Sequence, residues 1–120
     1  MSRIMHDLEP AAVWRRFEEI LEIPRPSGHE EGIADYLSAF AAGRGLSFDR
    51  DSYGNVIVRK DGAGSGVDRD GIVLQAHVDM VAEKSAGSGH DFMRDPIRAE
   101  IDGDRVWAPE TTLGADNRKS

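Results

Sequence analysis

The chain has 120 residues, a formal net charge of -7 at pH 7 and 31% charged residues, which suits one acidic domain. Nucleic acid is an unsuitable partner, because no basic face is present to neutralise a phosphate backbone. The absence of cysteine excludes disulfides, thiolate zinc sites and cysteine nucleophiles, so any metal must be bound by histidine and carboxylate.

No apolar run approaches the roughly 20 residues that a membrane-spanning helix needs. Residues 1–16 carry acids and arginines where a secretory signal has an uninterrupted apolar segment. These features predict a soluble, cytoplasmic protein that is not inserted in a membrane.

Two helices are predicted in the N-terminal third of the chain. Pro10 suits the first turn of a helix. Apolar residues then recur at spacings of three and four, as on one helix face: Val13, Trp14, Phe17, Ile20 and Leu21. Ser27, followed three residues later by Glu30, has the spacing of a capping box at the start of a second helix. That helix is expected to end at Gly43 and Gly45.

From Leu46 the pattern indicates strands. The segments "LSFDR" and "NVIVRK" predict two short strands joined around "DSYGN", and "IRAEIDGDRVWA" predicts a hairpin that turns at Asp102 and Gly103. The run "IVLQA", residues 72–76, is apolar enough for a strand covered on both faces inside a sheet. Two N-terminal helices followed by strands of a mixed sheet predict an α/β fold.

His77 and Asp79 directly follow this apolar run. Residues two apart on a strand point to the same face, so the pair could share a site at the strand's carboxyl end. A zinc-binding histidine usually needs a carboxylate or carbonyl on its other ring nitrogen, and Asp79 could be that partner or a ligand itself. The same spacing also occurs by chance, in which case the pair is only the polar end of a strand.

A rarer motif is "GADN", residues 114–117, which places Asp116 after a turn of small residues. That carboxylate could be a metal ligand, and the alternative is a simple Asx turn. Three other candidates are disfavoured. His6 and His29 are expected at the surface, and His90 in a solvated loop.

Five ordered blocks carry a resemblance that covers the chain from about Leu8 to Asn117. They are "IPRPSGHEE", "DSYGNVIV", "VLQAHVDMVAEK", "HDFMRDPI" and "TTLGADN". In order and spacing they resemble the N-terminal part of the aminoacyl-histidine dipeptidases, also called Xaa-His or carnosinase-like dipeptidases. This is a family of dinuclear zinc metallopeptidases related to glutamate carboxypeptidase.

The resemblance implies a role for each candidate residue. His77 would bind one zinc, Asp79 would orient its imidazole, and Asp116 would bridge both zincs. A metal-bound water would attack the peptide bond of a dipeptide, often one that ends in histidine, with a glutamate as general base. A shell of histidine and carboxylate admits manganese or cobalt as well as zinc.

In the family, "GADN" continues into a glycine-rich helix start, and the general base and the remaining ligands lie further along. Here Asn117 is followed only by "RKS". We therefore expect residues 1–120 to be the N-terminal portion of a catalytic domain whose second domain, the seat of oligomerisation in this superfamily, is absent. Such a chain should bind zinc weakly, be inactive and leave residues 72–76 partly uncovered.

Two other interpretations stay open. One is a non-catalytic binding or regulatory module that uses part of the peptidase fold. The other is a different member of the superfamily, such as a tripeptide aminopeptidase or a deacetylase. It is disfavoured because "HDFMRDPI" and "TTLGADN" resemble the dipeptidase branch specifically.

Overall fold

The computed structural model of the protein describes residues 4–115. The elements in chain order are helices α1 (Ala11–Leu21) and α2 (Glu31–Gly43), strands β1 (Ser47–Arg50) and β2 (Val56–Arg59), a short 3₁₀ turn (Gly64–Gly66), and strands β3 (Glu100–Asp102) and β4 (Arg105–Trp107). The predicted α/β class, with two helices before the strands, is confirmed. Within residues 4–115, no helix is both long enough and apolar enough to cross a membrane.

Helix α1 follows the predicted apolar spacing. Pro10 immediately precedes it, and the Pro10 carbonyl accepts hydrogen bonds from the backbone N–H groups of Val13 and Trp14 at 3.1 and 3.3 Å. Leu21 is buried and Trp14 and Phe17 pack against the core, whereas Val13 is 60% exposed. The buried face is therefore narrower at the beginning of the helix than the spacing indicates.

The main core joins parts of the chain that are distant in sequence. Met5, Leu21, Met80 and Ile97 are all buried and form one cluster. The backbone N–H of Ile97 donates to the carbonyl of Leu21 at 2.9 Å, so the end of α1 is attached to the segment before β3. Met80 brings the segment that carries His77 and Asp79 into the same core.

Helix α2 packs against β1 and β2, and its buried residues are Ile33, Ala34 and Ala41. A polar contact also attaches α2 to α1: the Tyr36 hydroxyl donates to the Glu19 carboxylate, which also accepts from Arg16 at 2.8 Å. Burial, together with this hydrogen bond to Glu19, raises the pKa of Tyr36 above its ordinary value.

The strands form two separate antiparallel pairs. β1 pairs with β2 in a register that places Phe48 opposite Val58, and β3 pairs with β4 with Ile101 opposite Val106. The second hairpin turns at Gly103 and Asp104, one residue later than predicted. Gly103 has a φ of 61°, which glycine adopts without steric strain. Within residues 4–115, parallel pairing occurs only at one isolated bridge, between Pro26 and Met80.

The prediction of a strand at residues 72–76 is wrong for this structure. Among residues 4–115 no strand partner runs beside this segment, and an extended segment without a partner forms no ladder. Ile72, Val73 and Leu74 are 85%, 90% and 90% exposed. The expected lack of cover is thus observed.

Candidate metal centre

His77 and Asp79 contact each other directly. The His77 Nδ1 lies 2.9 Å from Asp79 Oδ1 and 3.0 Å from the Asp79 carbonyl oxygen. The other carboxylate oxygen, Oδ2, accepts a 2.5 Å hydrogen bond from the Ser27 hydroxyl. Because both carboxylate oxygens have protein partners, Asp79 has the contacts of a residue that orients an imidazole.

These contacts favour the ionised form of Asp79. The Ser27 hydroxyl and, secondly, the His77 ring hold the pKa of Asp79 below its ordinary value, because a donated hydrogen bond stabilises a carboxylate. An ionised Asp79 accepts a proton-bearing Nδ1, which selects one histidine tautomer. In that tautomer Nε2 carries the lone pair with which a histidine binds a metal.

The loop that carries this pair is attached to residues 25–27, between the two helices. The Met80 N–H donates to the Arg25 carbonyl at 3.0 Å, and the Ser27 N–H donates to the Met80 carbonyl at 3.2 Å. Two backbone hydrogen bonds thereby place Ser27 beside Asp79. The segment between the helices is thus part of the site.

The predicted capping box is wrong. Helix α2 begins at Glu31, its N-cap residue is Glu30, and no side chain caps it. The Glu30 carboxylate instead accepts from the Gly28 N–H at 2.7 Å. Ser27 lies too far before the helix to cap it and donates to Asp79, a role that its local sequence does not reveal because the partner is 52 positions away.

The "TTLG" segment runs antiparallel to the residues that follow Asp79. The Thr112 hydroxyl donates to the Val81 carbonyl at 2.5 Å, and the Thr112 N–H donates to the Glu83 carbonyl at 3.0 Å. A bridge between Lys84 and Thr111 extends this pairing. The beginning of the "GADN" motif therefore lies next to the His77 loop. Asp116, the predicted bridging ligand, lies outside the described residues.

Arg25 links the two segments and is absent from the sequence-based predictions. Its side chain is buried, and its guanidinium donates to the Val78 carbonyl at 3.1 Å and to the Gly114 carbonyl at 2.6 Å. An arginine between two prolines gives no indication of such long-range partners. The one available signal is its position inside the "IPRPSGHEE" block.

One side chain among the described residues, that of His77, has the contacts expected of a metal ligand. His77 has the carboxylate partner that a zinc-binding imidazole commonly requires, and half of its side chain is exposed. A catalytic zinc takes three protein ligands, however, and no group of three such residues is close enough to hold a metal within residues 4–115. His6 and His29 are exposed, as predicted.

A groove of the described structure lies elsewhere. It has a volume of about 880 Å³ and runs between α1 and residues 96–101, where it is lined in part by Leu21 and Ile97. Neither His77 nor Asp79 lines it. The candidate site is an exposed loop attached to the core.

The comparisons with known proteins agree on one kind of enzyme, although no family model matches the chain. The chain is 44% identical over 113 residues to the cytosol non-specific dipeptidase of Escherichia coli (strain K12). It also superimposes on the crystal structure of an aminoacylhistidine dipeptidase from Vibrio alginolyticus with a TM-score of 0.89 and 45% identity. The matches cover 94% and 93% of this chain, which spans 23% of the length of each relative. The resemblance to these dipeptidases is confirmed.

Proposed function

We propose that this chain, which matches cytosolic and aminoacylhistidine dipeptidases over most of its length, is a metal-ligand-bearing part of a zinc-dependent dipeptidase. The observation that carries the proposal is the row of contacts from Ser27 through Asp79 to His77. The backbone hydrogen bonds between residues 25–27 and Met80, together with the ionised carboxylate of Asp79, hold the His77 imidazole in a single orientation. This arrangement is typical of a histidine that binds a catalytic metal.

Each residue has a separate role in the proposed reaction. His77 would bind the ion through Nε2, Asp79 would hold the Nδ1 proton, and Asp116 would bridge two ions. The ion, zinc or in its place manganese or cobalt, would lower the pKa of a bound water and polarise the peptide carbonyl. The substrate would be a dipeptide, with Xaa-His dipeptides as the first choice because one relative is named for them. We assign no general base among residues 4–115.

We further propose that the 120-residue chain by itself is inactive. The described part contains no group of three side chains that could hold a metal, whereas a catalytic zinc needs about three protein ligands. Zinc binding by the chain should therefore be weak. Cytoplasmic localisation is proposed because the relative from Escherichia coli is named a cytosolic enzyme.

A non-catalytic binding module is the second candidate. The observation that favours it is the absence of a three-ligand group within residues 4–115. Such a module would bind a dipeptide without metal, which separates it from the first proposal. A tripeptide aminopeptidase or a deacetylase is not proposed, since both relatives are named dipeptidases.

The test is a zinc titration of the 120-residue chain with ¹⁵N-labelled histidine, followed by NMR of the imidazole nitrogens. We expect the His77 Nε2 signal to shift with zinc, and the shift to be absent in His77→Ala but retained in His29→Ala. His29 is the matched control because it is an exposed histidine of the same chain. A His77 signal that does not respond to zinc contradicts the proposed ligand.

The same sample is then assayed with carnosine and with an α-linked Xaa-His dipeptide. Without zinc, binding of either dipeptide would support the module. With zinc, no hydrolysis is expected from this chain. Zinc-dependent turnover that disappears in His77→Ala would contradict the proposed inactivity and keep the assignment of His77.

A further inference from the structure

Arg25 contacts both segments that carry the candidate ligands. It is 4% exposed, and its Nη1 and Nη2 donate to the carbonyls of Val78 and Gly114. Val78 lies between His77 and Asp79, and Gly114 precedes Asp116 by two residues. One buried side chain thus spans from the first ligand segment to the second.

The chemistry of arginine suits this role. A guanidinium is planar and presents its N–H donors in fixed directions, so two carbonyls bound to different nitrogens are held at a defined separation. A lysine ammonium is a compact point charge on a flexible stem and cannot impose that geometry. Burying a cation is unfavourable unless polar groups surround it, and the two carbonyls supply such groups.

The backbone of Arg25 adds a third attachment. Its carbonyl accepts from the Met80 N–H at 3.0 Å, so the same residue contacts the His77 loop on both sides of Asp79. Gly114 also packs closely against Arg25 and Met80. A Cβ added to Gly114 would lie 2.9 Å from Arg25 Nη2 and 3.1 Å from Met80 Sδ. Gly114 also has a φ of 72°, which disfavours other residues.

From these contacts we propose that Arg25 is a positioning residue that sets the separation between the His77 loop and the segment leading to Asp116. The inference rests on the proposed function, since it takes His77 to be a metal ligand. In this role Arg25 would act without touching the metal or the substrate. Arg25 acts through two backbone carbonyls. Loss of its fork, the two N–H donors of the guanidinium that bind these carbonyls, should alter the geometry of metal binding.

The test uses Co²⁺, whose paramagnetism shifts NMR signals according to their position relative to the ion. Co²⁺ bound at His77 should shift the Gly114 and Ala115 amide signals in the wild-type chain. Arg25→Lys keeps the charge and removes the fork, so we expect changed shifts at both amides and an affinity for Co²⁺ that is about tenfold lower. Gly114→Ala displaces Arg25 Nη2 from the other side and should have the same direction of effect.

Two controls separate positioning from general destabilisation. Arg44→Lys makes the same chemical change at an exposed arginine that stacks on Phe40, and it should leave Co²⁺ binding unchanged. Ile33→Val lowers stability from the buried side of α2 and should also leave the Co²⁺-induced shifts unchanged. Equal losses of Co²⁺ affinity in Ile33→Val and Arg25→Lys would mean that Arg25 is merely structural, and the inference would be overturned.

The remaining outcomes are also decisive. A folded Arg25→Lys with wild-type affinity and wild-type amide shifts overturns the inference and leaves the proposed function intact. If Arg25→Lys does not fold, Gly114→Ala decides by the same criteria. If His77→Ala binds Co²⁺ as tightly as the wild-type chain does, the proposed function fails first, and the positioning role fails with it.

Discussion

The Ser27 hydroxyl donates a 2.5 Å hydrogen bond to the Asp79 carboxylate, and this contact joins residues 52 positions apart in the chain. It lies between the backbone pairing of residues 25–27 with Met80 and the contact of Asp79 with His77. The Ser27 hydroxyl therefore connects the exposed imidazole of His77, through Asp79, to a segment that is attached to the core.

Ser27→Ala should raise the pKa of Asp79 toward its ordinary value. The Ser27 hydroxyl is the main cause of the lowered pKa, and the remaining donor is the His77 ring. The measurement is a pH titration of the Asp79 carboxyl ¹³C signal by NMR. Ser52→Ala, in the exposed turn between β1 and β2, is the matched control and should leave the Asp79 titration unchanged. An unaltered pKa in Ser27→Ala would contradict the assigned hydrogen bond.

The stability that Asp79 provides should depend on pH in the acid range. Its pKa is lower in the folded than in the unfolded chain, where the ordinary value is about 3.9. The ionised carboxylate therefore stabilises the fold above that value, and the contribution is lost as the pH falls through the folded pKa.

Urea unfolding of the wild type and of Asp79→Asn, from pH 7 downward, measures this contribution. The difference in the free energy of unfolding should be present at about pH 5 and shrink below about pH 4. In a Ser27→Ala background the pH dependence should be weaker, since the main donor to Asp79 is gone. A difference that grows on acidification would reverse the sign of the assigned pKa shift.

Ile33→Val should destabilise the fold by about 1 kcal/mol, the usual effect of removing one buried methylene group. Ile33 is 2% exposed in α2, on the helix that packs against β1 and β2. Ile57→Val makes the identical change at a residue of β2 that is 49% exposed, and it should cost less than about 0.5 kcal/mol. Urea unfolding of both variants at neutral pH tests whether Ile33 is buried where α2 packs against β1 and β2, and equal losses would contradict that placement.

Val73→Lys should reduce self-association of the chain. Ile72, Val73 and Leu74 form a continuous exposed apolar run, and such runs promote association with other chains. Sedimentation velocity over a range of protein concentrations is the measurement. Val67→Lys introduces the same charge at a residue that is 63% exposed outside this run. If both variants reduce association equally, the effect of the added lysine does not depend on this run, and the apolar run is not the contact.

Local patterns predicted much of the secondary structure. The three- and four-residue apolar spacing found α1, and the turn residues found both hairpins, because these elements depend on contacts between close neighbours in sequence. Residues 72–76 were predicted wrongly for a related reason. Their apolar composition indicates a buried strand, but a strand also needs a partner, which the composition of the segment cannot supply.

The sequence by itself determined the α/β class, the order of the elements and the proximity of His77 to Asp79, all of which follow from short-range spacing. Only the tertiary structure decided that Ser27 donates to Asp79 and that Arg25 joins the carbonyls of Val78 and Gly114. These contacts span 52 to 89 positions of the chain. They depend on how the segment between the helices packs beside Met80, and local propensity carries no information about such packing.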